Sequence, residues 1–149
     1  MAKIELKDTT GSAGATARKI ALKAIEQYNK YNGLDEGSPK LSQQIKKYWQ
    51  ENGFDFPGVE TAWSAVFVSW CITKSGLTRD QFKPDSNHSL FVHDILHNKR
   101  AYTVYKVDEY APRIGDVIHH NREGGKKTLD DMAMTSGFKS FASHSAIVV

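Results

Sequence analysis

The order of hydrophobic patterns along the chain predicts an α+β fold. Residues 15–97 carry apolar side chains at helical spacing, whereas residues 101–149 carry three short stretches with strand-like alternation. One helical stretch, residues 61–76, is apolar nearly all round, which is typical of a helix buried on most of its faces. Helices followed by strands favour N-terminal helices, a buried central helix and an antiparallel β-sheet packed against it.

Length and composition are those of a single globular domain. The 149 residues are 40% hydrophobic and 25% charged, and a chain of this size buries about 68–70% of its unfolded surface. We expect residues 1–14 to form a flexible arm and residues 15–149 to form one domain. Because the last strand is apolar as far as Val149, two interpretations stay open. Either the chain is truncated at its C-terminus, or a partner segment completes the strand.

Charge and cysteine content argue against several classes of protein. The chain has 20 Lys and Arg beside 17 Asp and Glu, a net charge of +3 that is too weak and too dispersed to indicate nucleic acid binding. Cys71 is the single cysteine, so we expect no intrachain disulfide and no metal site built from several thiolates. The nucleotide-binding motifs GxxxxGK[ST] and GxGxxG do not occur, and we expect no metal and no cofactor. Neither a run of 18 apolar residues nor a signal-peptide core occurs. We therefore expect no membrane span and no general-secretory signal.

Two amphipathic helices are predicted before the central one. In the first, residues 15–31, apolar side chains recur at helical spacing, and Gly33 follows its end. The second begins at Ser38 and Pro39, which are typical of an N-cap and a first helical position, and it ends at Gly53.

The central helix is predicted to have Thr61 as its N-cap and Gly76 just past its end. This assignment puts Ser64 third in the helix, within its first turn. Shorter elements follow. We expect helices over residues 89–99 and around 129–134, and strands over residues 101–107, 115–120 and 143–149.

Ser64 is the main candidate for chemistry. The free backbone N–H groups and the positive dipole end of a helix start favour an anion, and they stabilise both a nucleophile and the oxyanion that it creates. The plainer alternative is that Ser64 only caps the helix. His144, at the head of the last strand, is the candidate general base. The two residues can act together only if the fold brings them into contact.

Other candidate residues have simpler explanations. Asp116 follows Gly115 in a predicted turn, where its carboxylate would accept hydrogen bonds from nearby amides. His119 and His120 are neighbours on one strand and point to opposite faces, so they cannot share a metal ion there. Cys71 lies among apolar residues, and we expect it to be inert. A catalytic thiol at Cys71 is the weaker alternative.

Three segments taken in order, TAWSAVFVSWCITKSG, APRIGDVIHHNR and SHSAIVV, resemble the domain of unknown function 2272 (DUF2272) family. That family is similar to the papain-like NlpC and CHAP amidases and peptidases, so the resemblance implies a papain-like fold. In those enzymes a nucleophilic cysteine follows a tryptophan at the start of the buried helix. Ser64, after Trp63, stands in that position, and His144 matches the histidine base.

The resemblance also implies roles for residues around this pair. Asp116 matches a position that is structural in these enzymes, and His88 and Arg122 match positions at the rim of the cleft. We group His119 and Trp63 with them as cleft or supporting residues. Two origins stay open for Ser64: it is the native residue, or it is an inactivating substitution of cysteine.

The function implied by the resemblance is hydrolysis of peptidoglycan by an amidase or endopeptidase that cuts an amide bond in the cell-wall peptide. We expect synthesis in the bacterial cytoplasm and specialised export toward the cell wall, as for a secreted antibacterial effector. A cognate immunity protein is then an expected partner. The alternative is a catalytically inactive papain-like module that binds peptide, glycan or a partner protein.

Overall fold

The computed structural model describes residues 14–122, 124–133 and 138–149, so all but the last residue of the predicted arm lies outside it. Within these ranges the chain forms five helices and two strands, which confirms the α+β class. In chain order these elements are α1 (Ala15–Tyr31), α2 (Pro39–Glu51), α3 (Ser64–Lys74), α4 (His88–His97), β1 (Val117–Asn121), α5 (Leu129–Met132) and β2 (Ser143–Ile147).

The first two helices form where the sequence predicts them. α1 spans the predicted residues, and α2 has Pro39 at its first position after Ser38. Gly33 and Gly53 follow these helices with φ angles of 80° and 88°. Glycine adopts this left-handed conformation without steric cost, and it ends both helices where local sequence indicates.

The central helix begins later than predicted. Its N-cap is Trp63 rather than Thr61, which makes Ser64 the first helical residue instead of the third. The cause is tertiary packing of the tryptophan: its ring stacks on Tyr48 at a centroid distance of 6.0 Å, and its indole N–H donates to Glu36 Oε1 at 2.7 Å. Ser64 nevertheless lies in the first turn.

α3 is buried between two hydrophobic clusters. Toward α2, Tyr48, Trp70 and Cys71 pack in one cluster, and toward α4, Phe82 and Phe91 pack in the other. Ile147 of β2 contacts both clusters, so the sheet lies against the central helix as predicted.

The described sheet consists of β1 and β2 in antiparallel pairing, with Val117 opposite Ile147 and His120 opposite His144. Backbone hydrogen bonds extend the pairing on one side, where Gly115 N–H donates to the Val148 carbonyl at 2.9 Å. Alternate residues of β1 differ in exposure, because successive side chains of a strand point to opposite faces.

The strand predicted over residues 101–107 is absent from the described structure. Tyr102 and Val104 are half-buried between exposed neighbours, so the alternation that indicated a strand is real. Among the described residues no strand pairs with the backbone of this segment. Its contacts are of another kind: Tyr102 Oη donates to the Gly115 carbonyl at 3.3 Å, and Tyr105 stacks on Tyr110. Alternating burial alone does not supply a ladder partner.

The shorter helices also match prediction closely. α4 begins one residue earlier than predicted, at His88, because Asn87 caps it. α5 falls within the predicted region and begins with a capping box between Thr128 and Asp131. Among the helices of the described residues, none has the length and apolar character needed to cross a bilayer.

Candidate active site

Ser64 occupies the amino-terminal end of the buried helix. The N–H groups of the first helical turn have no partner within a helix, and among the described residues no side chain caps this end of α3. The Trp63 carbonyl accepts the first helical hydrogen bond, from Phe67 N–H at 3.0 Å. The half-buried Ser64 hydroxyl therefore lies beside uncapped amides and the positive end of the helix dipole.

The hydroxyl of Ser64 forms a short hydrogen bond with His88, the first residue of α4. The distance between Ser64 Oγ and His88 Nε2 is 2.7 Å. The resemblance implied His144 as the partner of Ser64, whereas the structure gives this contact to His88, which we had expected at the cleft rim. A serine hydroxyl and an imidazole nitrogen at this distance have the geometry that proton transfer requires.

The segment before α4 is tied to α3, and this fixes the position of His88. The fully buried Ser69 hydroxyl donates to the Asp85 carbonyl at 3.1 Å and accepts from Asp85 N–H at 3.2 Å. Asn87 Oδ1 then caps α4 by accepting from Ser89 N–H at 3.0 Å. Because these bonds join α3 to the start of α4, they bring His88 to Ser64.

The ring of His144 is next to that of His88. The centroids of these two imidazole rings are 5.0 Å apart with an angle of 65° between the planes. His120, opposite His144 in the sheet register, has its ring centroid 5.7 Å from that of His144. The structure therefore brings Ser64, His88 and His144 into one site and adds His120. We call His88, His119, His120 and His144 the histidine cluster.

The environment of His88, His119 and His144 disfavours positive charge. Burial is the main cause that lowers the pKa of His88 to about 4, and the neighbouring histidines and Arg122 add to the effect. Burial, followed by repulsion from His120 and His144, likewise lowers the pKa of His119 to about 4. The pKa of His144 is also lowered, by burial first and then by His120 and Arg122. His88 is therefore uncharged at neutral pH and able to accept a proton.

Buried polar atoms without partners concentrate at this site. Eight such side-chain atoms occur among the described residues. Five of them belong to His88 and the two strands: His88 Nδ1, His119 Nε2, Asn121 Oδ1, Ser143 Oγ and His144 Nδ1. Buried polar groups in proteins are almost always hydrogen-bonded, and a local group of exceptions is typical of a functional site.

The other residues singled out from sequence lie around this site in distinct settings. Trp63 precedes Ser64 as the N-cap of α3, and its ring stacks on Tyr48. Asp116 forms the turn expected for it, with Oδ2 accepting from Arg113 N–H at 2.7 Å. His119 lies on the inner sheet face, where its Nδ1 is 2.8 Å from Ser145 Oγ. Arg122 directly follows β1 and is exposed.

Cys71 is buried in the core, and this environment is unfavourable for a nucleophile. The side chain is fully buried in α3, and burial raises the pKa of its thiol to about 12. The thiolate is therefore scarce at neutral pH. In the part of the chain that the structure describes, no three His, Cys, Asp or Glu side chains form a group able to hold a metal ion.

Sequence reasoning missed the residues that hold the site together. Ser69 and Asp85 are 16 positions apart and carry no motif, so no local signal identifies their pairing. The Asn87 cap has a signal, because Asn is a preferred N-cap and an apolar helical pattern follows it. The position of His120 beside His119 on a strand suggests only a metal ligand and gives no signal of a place next to His144.

The comparisons with known proteins establish the family. The family DUF2272, described as an uncharacterized protein conserved in bacteria, matches residues 18–149. The chain belongs to the DUF2272 family. The searches of curated proteins and of solved structures each returned no match. The papain-like fold and the likeness to NlpC and CHAP enzymes therefore stay predictions.

Proposed function

We propose that the protein is a peptidoglycan hydrolase, an amidase or endopeptidase that cuts an amide bond in the cell-wall peptide with Ser64 as the nucleophile. The observation that carries the proposal is the 2.7 Å contact between Ser64 Oγ and His88 Nε2 at the start of α3. A nucleophile, a neutral imidazole and uncapped helix amides are the three groups that acyl transfer requires.

The chemistry follows from the geometry of these groups. Ser64 Oγ attacks the carbonyl carbon of the amide while His88 Nε2 takes the hydroxyl proton. The backbone N–H groups of the first turn of α3 stabilise the negative charge on the carbonyl oxygen. As the carbon–nitrogen bond breaks, the imidazolium returns the proton to the leaving amine. Water then hydrolyses the acyl-enzyme with the same imidazole as base.

His144 is the second imidazole of the proposed mechanism. When His88 Nε2 accepts from Ser64, the ring proton lies on Nδ1, which is buried and has no partner among the described residues. His144 Nδ1 is also buried and unpartnered, and the two rings are 5.0 Å apart. A small rotation that joined these rings would orient His88 and stabilise its imidazolium, as the third member of a catalytic triad does.

The papain-like fold belongs to this proposal. A buried helix with the nucleophile at its start, packed against a strand that carries a histidine, is the arrangement that the resemblance implies, and α3 with β2 has these features. We also propose specialised export to the cell wall and a cognate immunity protein as a partner. Both rest on the resemblance.

The proposal is tested by digesting purified peptidoglycan and identifying the products by mass spectrometry. The unchanged protein is compared with Ser64→Ala, Ser64→Cys and the control Ser38→Ala. Ser38 is a matched control because it also stands at a helix start, and its hydroxyl has no partner among the described residues. We expect new peptide fragments from the unchanged protein and from Ser38→Ala, and none from Ser64→Ala.

Two other outcomes would contradict the serine mechanism. Fragments from Ser64→Cys alone would mean that Ser64 is an inactivating substitution in a cysteine enzyme. If no variant releases fragments although circular dichroism shows that each is folded, the result would favour the inactive module that binds peptide, glycan or a partner protein. The unpartnered polar atoms of the histidine cluster suit that alternative too, because a bound ligand would satisfy them.

A second experiment assigns the base. We expect His88→Gln to lower kcat/KM by about 10²–10⁴-fold, the usual contribution of positioned proton transfer, and His144→Gln to have a smaller effect. kcat/KM of the unchanged protein should fall as the pH drops toward 4, because His88 then becomes protonated. If His144→Gln causes the larger loss, the base is His144, as the family resemblance implies.

A further inference from the structure

The outer face of the sheet carries a cationic group next to the histidine cluster. His120 and His144 are directly opposite each other in the ladder. Arg122 N–H donates to the Ala142 carbonyl at 3.1 Å, so the same register continues for one more pair beyond the end of β1. Because side chains alternate along a strand, Arg122 lies on the face of His120 and diagonally across from His144.

Exposure agrees with this assignment of faces. Ile118, His120 and Arg122 are exposed, whereas the residues between them are half-buried. Arg122 is also close enough to His88 and His144 for its charge to contribute to the lowered pKa of each. The guanidinium therefore borders the site that contains Ser64.

The charge of Arg122 is unneutralised within the described residues. No Asp or Glu among them lies within ion-pair distance of its guanidinium, although Lys23, Lys74 and Arg100 each have such a partner. The two neighbouring rings of His88 and His144 carry buried Nδ1 atoms without partners, and His88 is only 6% exposed. The contact proposed above joins these two Nδ1 atoms and leaves the ring proton of His144 on Nε2, so this N–H and the unpaired guanidinium are the donors open to a ligand.

From this geometry we propose that Arg122, with His144, binds a free carboxylate of the substrate peptide next to the amide bond that Ser64 attacks. The inference rests on the proposed function and adds the substrate class, a peptide with an unblocked carboxylate. The planar guanidinium matches a carboxylate in a two-pronged hydrogen bond. A single fixed positive charge suits a singly charged carboxylate better than a doubly charged phosphate.

The test measures binding without turnover. All proteins carry Ser64→Ala, and the ligand is a stem peptide released from peptidoglycan, compared with the same peptide after amidation of all its carboxylates. Isothermal titration calorimetry gives both dissociation constants for the parent, Arg122→Gln, Arg122→Lys and the control Lys126→Gln. The control removes the same charge from an exposed residue four positions away.

We expect the free peptide to bind at least about tenfold more tightly than the amidated one, since hydrogen bonds between charged groups are roughly twice as strong as those between neutral groups. Arg122→Gln should remove that preference and leave binding of the amidated peptide unchanged. Arg122→Lys should retain part of the preference for the free peptide. Lys126→Gln should leave that preference within about twofold of the parent value.

Several outcomes would overturn the inference. One is that the free peptide does not bind. Another is that Arg122→Gln weakens binding of the free and the amidated peptide by the same factor. A third is that Lys126→Gln reduces the preference for the free peptide as much as Arg122→Gln does. Competition by inorganic phosphate that is stronger than competition by acetate would assign the site to phosphate instead. Failure of the proposed function gives a different result. If the protein with Ser64 intact binds the free peptide through Arg122 but releases no fragments from peptidoglycan, the carboxylate site stands and the hydrolase proposal is wrong.

Discussion

The two sides of α3 differ in how they satisfy their buried polar groups. On the α2 side, Tyr48 packs its ring against Trp63, Phe67 and Trp70 at centroid distances of 6.0, 5.4 and 5.1 Å, and its hydroxyl donates to Gln27 Oε1 at 2.7 Å. We call these four rings the aromatic cluster. On the sheet side, the histidine cluster retains buried nitrogens without partners on three of its four rings.

This contrast separates a region that stabilises the fold from the region that carries the proposed active site. A buried polar group that is hydrogen-bonded costs little, whereas one that is unpartnered lowers stability by about 1–3 kcal/mol. The buried hydroxyl of Tyr48 and the amide of Asn52 are bonded, with Asn52 Nδ2 donating to the Val66 carbonyl at 2.9 Å. Trp49 Nε1 is an unpartnered exception on that side. Functional sites commonly trade stability for reactive groups in this way.

The largest effect on stability is expected in the aromatic cluster. Tyr48→Ala should lower the free energy of unfolding by about 3–5 kcal/mol, the usual cost of deleting a buried aromatic ring. The matched control is Tyr28→Ala, since Tyr28 is 44% exposed, and it should change stability by less than about 1 kcal/mol. Urea unfolding followed by circular dichroism measures both. Similar losses for the two variants would contradict the assignment of the core.

A second substitution tests the seam between the helices and the sheet. Gly115 has a φ angle of 87°, and a Cβ added there would overlap the backbone of Ala17 in α1. Gly115→Ala should therefore cost more than Gly58→Ala, because Gly58 has a φ of 107° but open space around it. We expect about 1–2 kcal/mol for the backbone conformation in both and about 1–3 kcal/mol more for the overlap. Equal losses would exclude the close approach of α1 to this turn.

Acid should weaken the protein through the histidine cluster. In the unfolded chain a histidine has a pKa of about 6.5, whereas burial lowers the pKa values of His88 and His119 to about 4. Between these values the unfolded chain binds more protons, so stability is full above pH 6.5 and falls as the pH drops toward 4. From pH 7 to pH 5 we expect Tm to fall by roughly 5–10 °C.

The control for this prediction replaces the titrating groups. The double variant His88→Leu, His119→Leu removes both imidazoles and their unpartnered nitrogens, so its Tm should depend much less on pH over the same range. At pH 7 the loss of two unpartnered nitrogens favours the variant, but Ser145 Oγ loses its bond to His119, so we expect a net change within about 3 kcal/mol. A double variant with undiminished acid sensitivity would show that other groups cause it.

The smallest effect is expected at Cys71. Because the thiol is fully buried and its pKa is raised to about 12, a thiol reagent should not label the folded protein over minutes and should label it at once in denaturant. Mass spectrometry measures the modified fraction. Rapid labelling of the folded protein would support the alternative in which Cys71 is the nucleophile.

Local sequence was sufficient for most of the helices and for the two strands. The bounds of α1 follow from its apolar spacing, and the start of α2 follows from Ser38 and Pro39. The strand predicted from the alternation in residues 101–107 is wrong, because Tyr102 and Val104 are half-buried but the segment has no neighbouring strand among the described residues. Whether an extended segment becomes a strand depends on a partner that its own sequence does not contain.

The candidate site was predictable in part. Ser64 and His144 were singled out from the sequence, and the structure has both at one site, but it gives the hydrogen bond to His88. The bonds that place His88 run from Ser69 to the backbone of Asp85, and neither residue carries a sequence signal. The start of α3 shifted from Thr61 to Trp63 for a similar reason, since a stack on Tyr48 outweighed a local capping preference.

By itself, therefore, the sequence determined the α+β class, membership of DUF2272 and a serine at the start of a buried helix. These depend on periodicity, caps and ordered motifs, which are properties of residues close together in the chain. The tertiary structure alone decided which imidazole contacts Ser64 and which buried nitrogens lack partners. Those depend on how α3, α4 and β2 pack, and packing is determined by many distant contacts acting together rather than by any local pattern.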